Sequence, residues 1–500
     1  MSFKEINFGY ISAEAERAES PNLIIDGYFD PANWIEDILN KSMFLILGYK
    51  GTGKSALINR IDFDNKYDKF YTFISLDNFP FTDFFSQVYK NDDLSKDAIL
   101  PDSWAWLILL QIVWSLQKDP NKVNNSRFDK LVHGLKENGF SSPNKFSDLL
   151  IQTKENKFIV HGPSIELNPA LGVESDLTLF KFESNLARDK TEISLDRLIL
   201  FTKQVIAEQT SINQHILFID GLDRAIYGGE DTYSSIATLI TESLKLNQFF
   251  RESNVPIKIV IACRTDLFGK LSIINRNSIL NTYSIPLIWH NDFRDYSNCN
   301  LNKLVNFRAK LSLSKEVDVF RDYFPDEFTL DNNSTGKTFT HKTIVYIYWH
   351  TRNTPRDLLM ALKEIQKAHS IFNSMVTLDE IIKGLSNYSR SYFLPEIKDE
   401  LGGYLTTKEV DQALHMLQSL YVWYGDYKVL IRRAKEAGLE EDRARDILSI
   451  LFECSAIGNQ FKAGDGDKRL TYKYYMPEAS LDISQQIVVH RGLWKAFNYV

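Results

Sequence analysis

The chain has 500 residues, 65 acidic and 58 basic side chains, and a formal net charge of −7. A chain of this length holds about two to four domains and buries a large core without help from disulfides. The acidic balance gives no support to a chain-wide attraction to DNA or membranes, although a local basic face stays open.

Neither the cysteines nor the histidines indicate a disulfide framework or a metal centre. Cys263, Cys299 and Cys454 are far apart in the sequence, and the nine histidines are scattered. This spacing suits a reducing compartment. The first residues lack a basic region followed by an apolar one, and no apolar run approaches the roughly 18 residues that span a membrane. We therefore expect a soluble, cytoplasmic protein with no membrane partner.

A glycine-rich segment at residues 48–55, here called the glycine loop, is the first chemical signal along the chain. It has the pattern G-x-x-x-x-G-K-S, follows a strand predicted at 43–47 and precedes a helix predicted at 56–60. Glycines let successive backbone N–H groups point inward around a phosphate, and the helix adds the positive end of its dipole. The alternative is a glycine-rich turn without a ligand. The predicted phosphate-binding residues are Gly48, Tyr49, Lys50, Gly51, Thr52, Gly53, Lys54, Ser55 and Ala56.

Lys54 and Ser55 have the most specific chemistry in the glycine loop. The Lys54 ammonium group can lie along the β- and γ-phosphates of a nucleotide, and the Ser55 hydroxyl can ligate magnesium. The sequence therefore predicts a site for a nucleotide with its magnesium ion.

A long insertion separates the next two strands. Residues 70–77 predict a strand because they are rich in β-branched and aromatic side chains. From there to residue 216 the chain is longer than one strand–helix unit requires, and we place an insertion at about 80–195. Within and after it we predict a buried helix at 104–114, a hairpin or loop around 158–163 and a helix at 195–201.

The segment 216–220 consists of four apolar residues followed by Asp220. This pattern predicts a buried parallel strand whose last residue reaches the magnesium shell. Asp223, three residues later, can reach the space where an attacking water would be held. Aspartate also favours helix N-caps, so both interpretations of Asp223 stay open.

Arg264 follows a third apolar strand, predicted at 257–263. At the carboxyl end of a strand that neighbours the Asp220 strand, a fixed cation would sense or stabilise γ-phosphate charge. The alternative is a surface arginine that caps the next turn. We predict the last strand of the core at 283–289.

The remainder of the chain predicts helices at 301–311 and 342–349, and another that begins at Thr354 and Pro355, which favour a helix start. Further helices are predicted at 408–420, 443–452 and 490–497, with a strand at 469–475. Helices followed by a β wing suit a winged-helix module that could bind nucleic acid. Its cations are Lys428, Arg432, Arg433, Lys435, Arg443 and Arg445. Acidic residues interleave with them, which favours a solvated helical face instead.

Together, the glycine loop, the I-L-F-I-D-G-L-D segment and the V-I-A-C-R-T-D strand end resemble bacterial P-loop ATPases of the STAND and origin-recognition-like branch of the AAA+ assemblage. The motif-bearing resemblance covers about residues 8–370. It implies an α/β P-loop NTPase fold with a mainly parallel sheet flanked by helices, followed by a helical lid and a winged-helix-like domain. It also implies ATP and Mg2+ as cofactors.

On this resemblance Lys54 and Ser55 are Walker A residues, and Asp220 is the Walker B magnesium ligand. Arg264 stands where a sensor 1 residue belongs, and Arg356 would be a sensor 2 residue that reaches the γ-phosphate from the lid. Arg276 could be an arginine finger for a neighbouring subunit, although a plain surface arginine is the commoner case.

The resemblance has one departure at the residue after Asp220. Many AAA+ enzymes have glutamate there, whereas this chain has Gly221. The D-G-L-D form is similar to the STAND pattern, and Asp223 is the remaining acidic candidate. We therefore expect slow, regulatory hydrolysis.

We expect an ATPase core at 1–290, a lid at 291–375 and a winged-helix-like domain at 376–500. The leading function is a nucleotide-dependent ATPase switch, as in relatives that act in bacterial antiphage defence. One alternative is a DNA-binding ATPase that uses its C-terminal domain. The other is a scaffold that uses ATP to assemble, as a homo-oligomer or on a separate effector protein, with the insertion contacting the partner.

Overall fold

A computed structural model of the chain describes residues 2–63, 69–77, 79, 96–122, 125–138, 140, 159–161, 190–192, 195–209, 211–227, 229–289, 296–332, 337–462 and 468–499. The strands in chain order are β1 (Leu45–Gly48), β2 (Lys69–Ser75), β3 (Ile159–His161), β4 (Lys190–Glu192), β5 (Gln214–Asp220), β6 (Ile257–Arg264), β7 (Ser284–Pro286), β8 (Glu327–Asn332), β9 (Lys337–Lys342), β10 (Tyr424–Gly425), β11 (Ile457–Lys462), β12 (Lys468–Thr471) and β13 (Gln486–Val489).

The α-helices in chain order are α1 (Ala13–Glu19), α2 (Asn22–Ile25), α3 (Trp34–Asn40), α4 (Lys54–Phe63), α5 (Lys96–Gln117), α6 (Ser126–Glu137), α7 (Leu195–Ala207), α8 (Gly229–Glu252), α9 (Thr265–Lys270), α10 (Arg276–Ser278), α11 (Asn300–Leu313), α12 (Val319–Tyr323), α13 (Thr343–Tyr348), α14 (Pro355–Ala368), α15 (Leu378–Tyr388), α16 (Leu394–Leu401), α17 (Thr407–Gln418), α18 (Tyr427–Glu436), α19 (Glu441–Glu453) and α20 (Arg491–Phe497). Short 3-10 segments lie at Phe3–Glu5, Leu222–Tyr227 and Tyr296–Asn298, and π-helical turns at Ile279–Tyr283 and Ser389–Phe393. In the part of the chain that the structure describes, no helix has both the length and the apolar character needed to cross a membrane.

The chain divides into two compact units. The first unit contains Met1–Ile35, Gly48–Phe63 and Pro286–Val500, and the second contains Glu36–Leu47 and Asp64–Ile285. The division into an ATPase core, a lid and a C-terminal domain expected from the sequence stays a prediction.

The second unit is built on a five-stranded sheet in the order β2, β5, β6, β1, β7. β5 pairs in parallel with both β2 and β6, and Ser75 lies opposite Asp220. All of β1 is buried, as is nearly all of β6, which is typical of a parallel sheet covered on both faces. β7 is shorter than the strand predicted at 283–289 because Pro286 has no N–H group to continue the ladder. The predicted α/β class, with a mainly parallel sheet flanked by helices, is confirmed.

Helix α5 of the second unit extends over the buried helix predicted at 104–114. Trp104 and Trp106 are almost fully buried, and Trp104 Nε1 donates a hydrogen bond to Ser235 Oγ at 3.0 Å. The helix therefore forms core in this unit. Of the hairpin or loop predicted around 158–163, only β3 is described, and it pairs antiparallel with β4. Most of the predicted insertion lies outside the described residues.

A buried polar cluster fastens the end of α5 to β5 in the second unit. Ser115 Oγ is 2.9 Å from His215 Nδ1, and Asp119 Oδ2 is 3.2 Å from His215 Nε2. The order of these groups is that of a hydrolytic triad, but all three residues are at most 9% exposed. Burial lowers the pKa of His215, against the opposing effect of Asp119. The burial of all three residues therefore favours a structural role for the cluster.

The C-terminal part of the first unit contains helices α17 to α20 and an antiparallel sheet in the order β10, β13, β11, β12. Strand β10 precedes α18, and the other three strands follow α19. The strand predicted at 469–475 ends at Thr471 because the chain turns there, with Tyr475 N donating to Tyr472 O at 3.1 Å. Helices before a small sheet are the elements expected from the sequence, and the winged-helix assignment itself stays a prediction.

Candidate phosphate-binding site

The glycine loop runs from the last residue of β1 to the first turn of α4, which begins at Lys54. Gly51 and Gly53 have φ angles of +85° and +96°, in the left-handed region that favours glycine. A Cβ atom on Gly48 would lie only 2.2 Å from Thr52 Oγ1. Three glycines of the motif thus have geometric reasons for their identity, and the predicted order of strand, loop and helix is present.

Lys54 folds back over the glycine loop. Its Nζ donates hydrogen bonds to Gly48 O at 3.0 Å and Tyr49 O at 3.3 Å, and the residue is 8% exposed. Thr52 Oγ1 also donates to Tyr49 O, at 2.9 Å. Carbonyl oxygens hold the ammonium group without cancelling its charge, so Lys54 retains its attraction for an anion.

Trp289 supports the glycine loop from behind. Its Nε1 donates to Thr52 O at 2.8 Å, and its ring packs edge-on against Trp34 with centroids 5.3 Å apart. Both tryptophans are buried. Nothing in the local sequence assigned Trp289 to the loop, because its position in the last predicted strand indicates only a core residue.

The beginning of α14 lies beside the glycine loop in the first unit. Thr354 caps the helix by accepting a hydrogen bond from Asp357 N, and Pro355 occupies the first helical position, as predicted. Arg356 N donates to Gly51 O at 3.3 Å. A Cβ atom on Gly51 would lie 3.2 Å from Arg356 Cβ. The structure therefore brings Arg356 to the loop, and its sensor 2 role stays a prediction.

Two further contacts reach the variable positions of the glycine loop. Lys50 Nζ lies 2.9 Å from Glu396 Oε2 in α16, which is also 3.9 Å from Arg356 Nη1. The Tyr49 ring stacks on the Tyr474 ring, with centroids 4.3 Å apart and planes 24° from parallel. Sequence reasoning missed Glu396 and Tyr474, since neither stands in a recognisable motif.

A buried charge network lies next to these contacts. Arg352 Nε donates to Asp357 Oδ2 at 2.9 Å, and Arg352 Nη1 donates to Glu400 Oε1 at 2.6 Å. Tyr474 Oη donates to Glu400 Oε2 at 3.1 Å. Burial opposes the charge of Arg352, but Asp357 and Glu400 outweigh it and raise the pKa of the guanidinium group. Burial likewise acts to raise the pKa of Asp357, and Arg352 holds it below its usual value.

Asp220, the predicted Walker B residue, is the last residue of β5 in the second unit. It is partly exposed, and its Oδ1 accepts a hydrogen bond from Gly221 N at 2.7 Å. Gly221 has a φ of +82°, and a Cβ atom there would lie 2.8 Å from both Asp77 N and Ser75 Oγ. The backbone conformation therefore explains why glycine stands where the resemblance leads one to expect glutamate.

Arg264, the predicted sensor 1 residue, is the last residue of β6. It is 5% exposed and so is not a surface arginine, although it stands at the N-cap of α9, as the alternative expected. Its Nε and Nη2 both donate to the Asp266 carboxylate, at 2.9 and 2.5 Å. This bidentate pair compensates the buried charge, and the sensor 1 role of Arg264 stays a prediction.

Asp223 and Arg276 lie on more accessible parts of the second unit. Asp223 is exposed in the first turn of the 3-10 segment Leu222–Tyr227, where a carboxylate favours the positive end of a helix. Arg276 donates to Gly269 O at 3.0 Å and lies over the Phe268 ring at 5.2 Å. Arg276 thus contacts neighbouring residues of its own unit, which favours the interpretation as a surface arginine.

Acidic partners accompany three of the C-terminal cations. Arg433 pairs with Glu436 at 2.7 Å, Lys435 with Glu441 at 2.7 Å, and Arg443 with Glu409 at 2.7 Å. These pairs favour the solvated helical face over a nucleic-acid surface at residues 428–445.

No protein-family model and no curated protein sequence matches the chain. Among solved structures, it is similar to the Walker-type ATPase PABY2304 of Pyrococcus abyssi, with 10% identity and a TM-score of 0.37 over 90% of this chain and 95% of that chain. It is also similar to the Aeropyrum pernix ORC1 protein in complex with DNA, with 11% identity and a TM-score of 0.35 over 97% and 95%. The Thermotoga maritima RuvB Holliday junction branch migration motor shares 14% identity, with a TM-score of 0.22 over 52% and 68%. The fold assignment rests on the parallel sheet and glycine loop of this chain.

Proposed function

We propose that the chain is an ATP-binding P-loop ATPase that hydrolyses ATP slowly and acts as a nucleotide-dependent switch. The glycine loop carries this proposal. Gly51 and Gly53, whose φ angles lie in the left-handed region, precede Lys54, which begins a helix. The Lys54 ammonium group donates its hydrogen bonds to two backbone carbonyl oxygens. This is the combination of backbone shape and cation that a nucleotide phosphate requires.

The donor groups of the loop fit a phosphate. Among the residues that the structure describes, none lies within 4 Å of the position that a Cβ atom on Gly53 would take, which leaves room for a ligand on that side of the loop. Lys54 would exchange its bonds to Gly48 O and Tyr49 O for stronger, charge-assisted bonds to phosphate oxygens. The first turn of α4 adds backbone N–H groups that lack helical partners.

The Ser55 hydroxyl is the proposed magnesium ligand of the glycine loop, and the assignment of the Asp220 carboxylate as a second ligand stays a prediction from the sequence. Both groups offer the hard oxygen atoms that Mg2+ prefers. Bound magnesium would neutralise phosphate charge during hydrolysis, while the residues of this chain orient the nucleotide.

The identity of Gly221 supports slow turnover. Its φ of +82° and its closeness to Asp77 leave no space for the glutamate that orients water in many AAA+ enzymes. The weaker part that the sequence gives Asp223 in that role, and the sensor 1 role of Arg264, stay predictions. Chemistry would then be slow enough for the bound nucleotide to define a state of the protein.

The switch element is the lid that contains Arg356. Its contact with Gly51 O supports a movement of α14 when the phosphates of the nucleotide change. The acidic partners of Arg433, Lys435 and Arg443 weigh against the DNA-binding alternative. The burial of Trp104 and Trp106 weighs against a partner contact through α5. The roles in antiphage defence and in homo-oligomer or effector assembly stay predictions.

Phosphate release from Mg2+–ATP tests the proposal. We expect slow release by the wild-type chain and a loss of at least about 100-fold in the Lys54→Ala variant, because that change removes the cation of the phosphate site. Lys363→Ala is the matched control, since this lysine also donates to a carbonyl, Gly9 O at 2.7 Å, but lies outside the glycine loop. Undiminished turnover in Lys54→Ala would overturn the proposal.

A further inference from the structure

Helix α16 in the first unit contains two glutamates one turn apart, Glu396 and Glu400, which contact different groups. Glu396 contacts Lys50 of the glycine loop, and Glu400 contacts Arg352 and Tyr474. Their side chains are only 11% and 1% exposed. This short helix therefore joins the glycine loop to the buried charge network.

Glu396 is the only carboxylate whose ion pairs among the described residues reach the glycine loop. It forms a close pair with Lys50, at 2.9 Å, and a longer one with Arg356, at 3.9 Å. Partial burial makes such pairs stronger than fully exposed ones, since less water screens them. The carboxylate of Glu396 thus lies between two cations beside the proposed phosphate site.

A carboxylate and a phosphate compete for the same donors. Ammonium and guanidinium groups bind both by charge-assisted hydrogen bonds of similar geometry. Arg356 could not give its guanidinium group fully to the terminal phosphate of ATP while it remains next to Glu396. ATP binding and the Glu396 contact therefore oppose each other.

The loss of this contact would be transmitted beyond the glycine loop. The stack of Tyr49 on Tyr474 is the second link between the loop and the later part of the first unit. Tyr474 shares Glu400 with Arg352, and Arg352 also pairs with Asp357 in α14. A displaced α16 would thus alter contacts of both α14 and the turn that follows β12.

We propose that Glu396 is a built-in competitor of the terminal phosphate of ATP, whose displacement by ATP releases α16. This inference rests on the proposed function, because it requires a nucleotide at the glycine loop. Glu396 would set the ATP concentration at which the glycine loop is occupied, and α16 would move when ATP binds.

Nucleotide affinity of the Glu396→Gln variant is the first test. This change keeps the shape of the side chain and removes its charge, so we expect ATP to bind about fivefold more tightly or better in the presence of Mg2+. ADP lacks the terminal phosphate and should gain less. Asp399→Asn is the matched control, since it removes the same charge from an exposed position of the same helix and should leave ATP affinity almost unchanged.

Amide hydrogen exchange at residues 394–401 is the second measurement. In the wild-type chain we expect exchange there to increase when ATP is added, and in Glu396→Gln we expect it to be raised already without ATP. A contact that is merely structural would raise exchange in the variant without any change in ATP affinity. A melting curve for each variant confirms that it is folded.

The outcomes separate the inference from the proposed function. Lys54-dependent ATP binding in which Glu396→Gln gains no more than Asp399→Asn would overturn the inference alone. Weaker ATP binding by Glu396→Gln would also overturn it, and would show that Glu396 positions Arg356 instead. If neither the wild-type chain nor any variant binds ATP, the proposed function and the inference both fall.

Discussion

At Gly221 the backbone conformation determines which residue can follow Asp220. Two separate effects act there: a φ of +82°, and a contact of 2.8 Å between a would-be Cβ atom and Asp77 N. Gly229 offers a comparison in the same unit, since its φ is +74° but no atom of the described residues lies within 4 Å of a Cβ atom placed there. The pair separates backbone strain from steric conflict.

We expect Gly221→Ala to lower the free energy of unfolding by about 3 kcal/mol, and Gly229→Ala to lower it by about 1 kcal/mol. Only the first change adds a collision with backbone to the cost of left-handed geometry. Urea denaturation of the two variants measures the difference. Equal losses would show that the close approach to Asp77 has no energetic weight.

Arg352 is the cation of the buried charge network, and its replacement tests how much that network stabilises the fold. Its removal leaves the carboxylates of Asp357 and Glu400 buried without their cation, so we expect Arg352→Met to lower the free energy of unfolding by about 3–5 kcal/mol. The control is Arg433→Met, which breaks a more exposed pair with Glu436 and should cost about 1 kcal/mol or less. Similar urea midpoints for the two variants would contradict a stabilising role for the network.

Helix α20 begins at a buried histidine, so we expect its stability to depend on pH. His490 caps it by accepting a hydrogen bond from Gly492 N at 3.0 Å, and its ring stacks on Phe393. Burial, reinforced by Arg352, lowers the pKa of His490 to about 3. Burial also lowers the pKa of His350 to about 3. Both imidazoles are therefore neutral in the folded chain at neutral pH.

The sign of the effect follows from the unfolded chain, where the pKa of histidine is about 6.5. Between pH 6.5 and 3 the unfolded chain binds more protons than the folded chain, so acid favours unfolding. The contribution of the two neutral histidines to the free energy of unfolding is fully present above about pH 6.5. Below that pH it decreases by about 1.4 kcal/mol per pH unit for each histidine.

We expect His490→Gln, which keeps a side-chain acceptor at the cap, to reduce the fall in unfolding free energy between pH 7.5 and 5.5 by about 1.4 kcal/mol. The corresponding change at His415, which is exposed in α17, should leave that fall unaltered. Urea titrations at the two pH values provide the measurement. A fall of the same size in His490→Gln and the wild-type chain would contradict the assignment.

At the scale of elements, the sequence predicts those strands and helices whose position depends on local sequence patterns. The strands at β1, β5 and β6, the helix at α4 and the capped start of α14 all follow from apolar runs, glycines, Thr354 and Pro355. The ends of predicted elements differ from the observed ends by a few residues. In β7, for example, the strand stops at Pro286, which has no N–H group to continue the ladder. Capping and periodicity act over a few residues, so they can be recognised in a single sequence.

At the scale of the whole molecule, the contacts of the glycine loop could not be predicted. Lys50 pairs with Glu396 and Tyr49 stacks on Tyr474, although these partners stand far along the chain. The choice of partner depends on how distant segments pack, and nothing near Glu396 distinguishes it from other glutamates. The same holds for the bidentate pairing of Asp266 with Arg264.

Whole-molecule function depends on whether the glycine loop holds ATP. Calorimetric titration of Mg2+–ATP into the wild-type chain and into folded Lys54→Ala measures this without relying on turnover. We expect one ATP per wild-type chain, and an affinity at least about tenfold weaker in Lys54→Ala, because a charge-assisted contact is lost. Equal affinity and stoichiometry in the two proteins would contradict binding at residues 48–55.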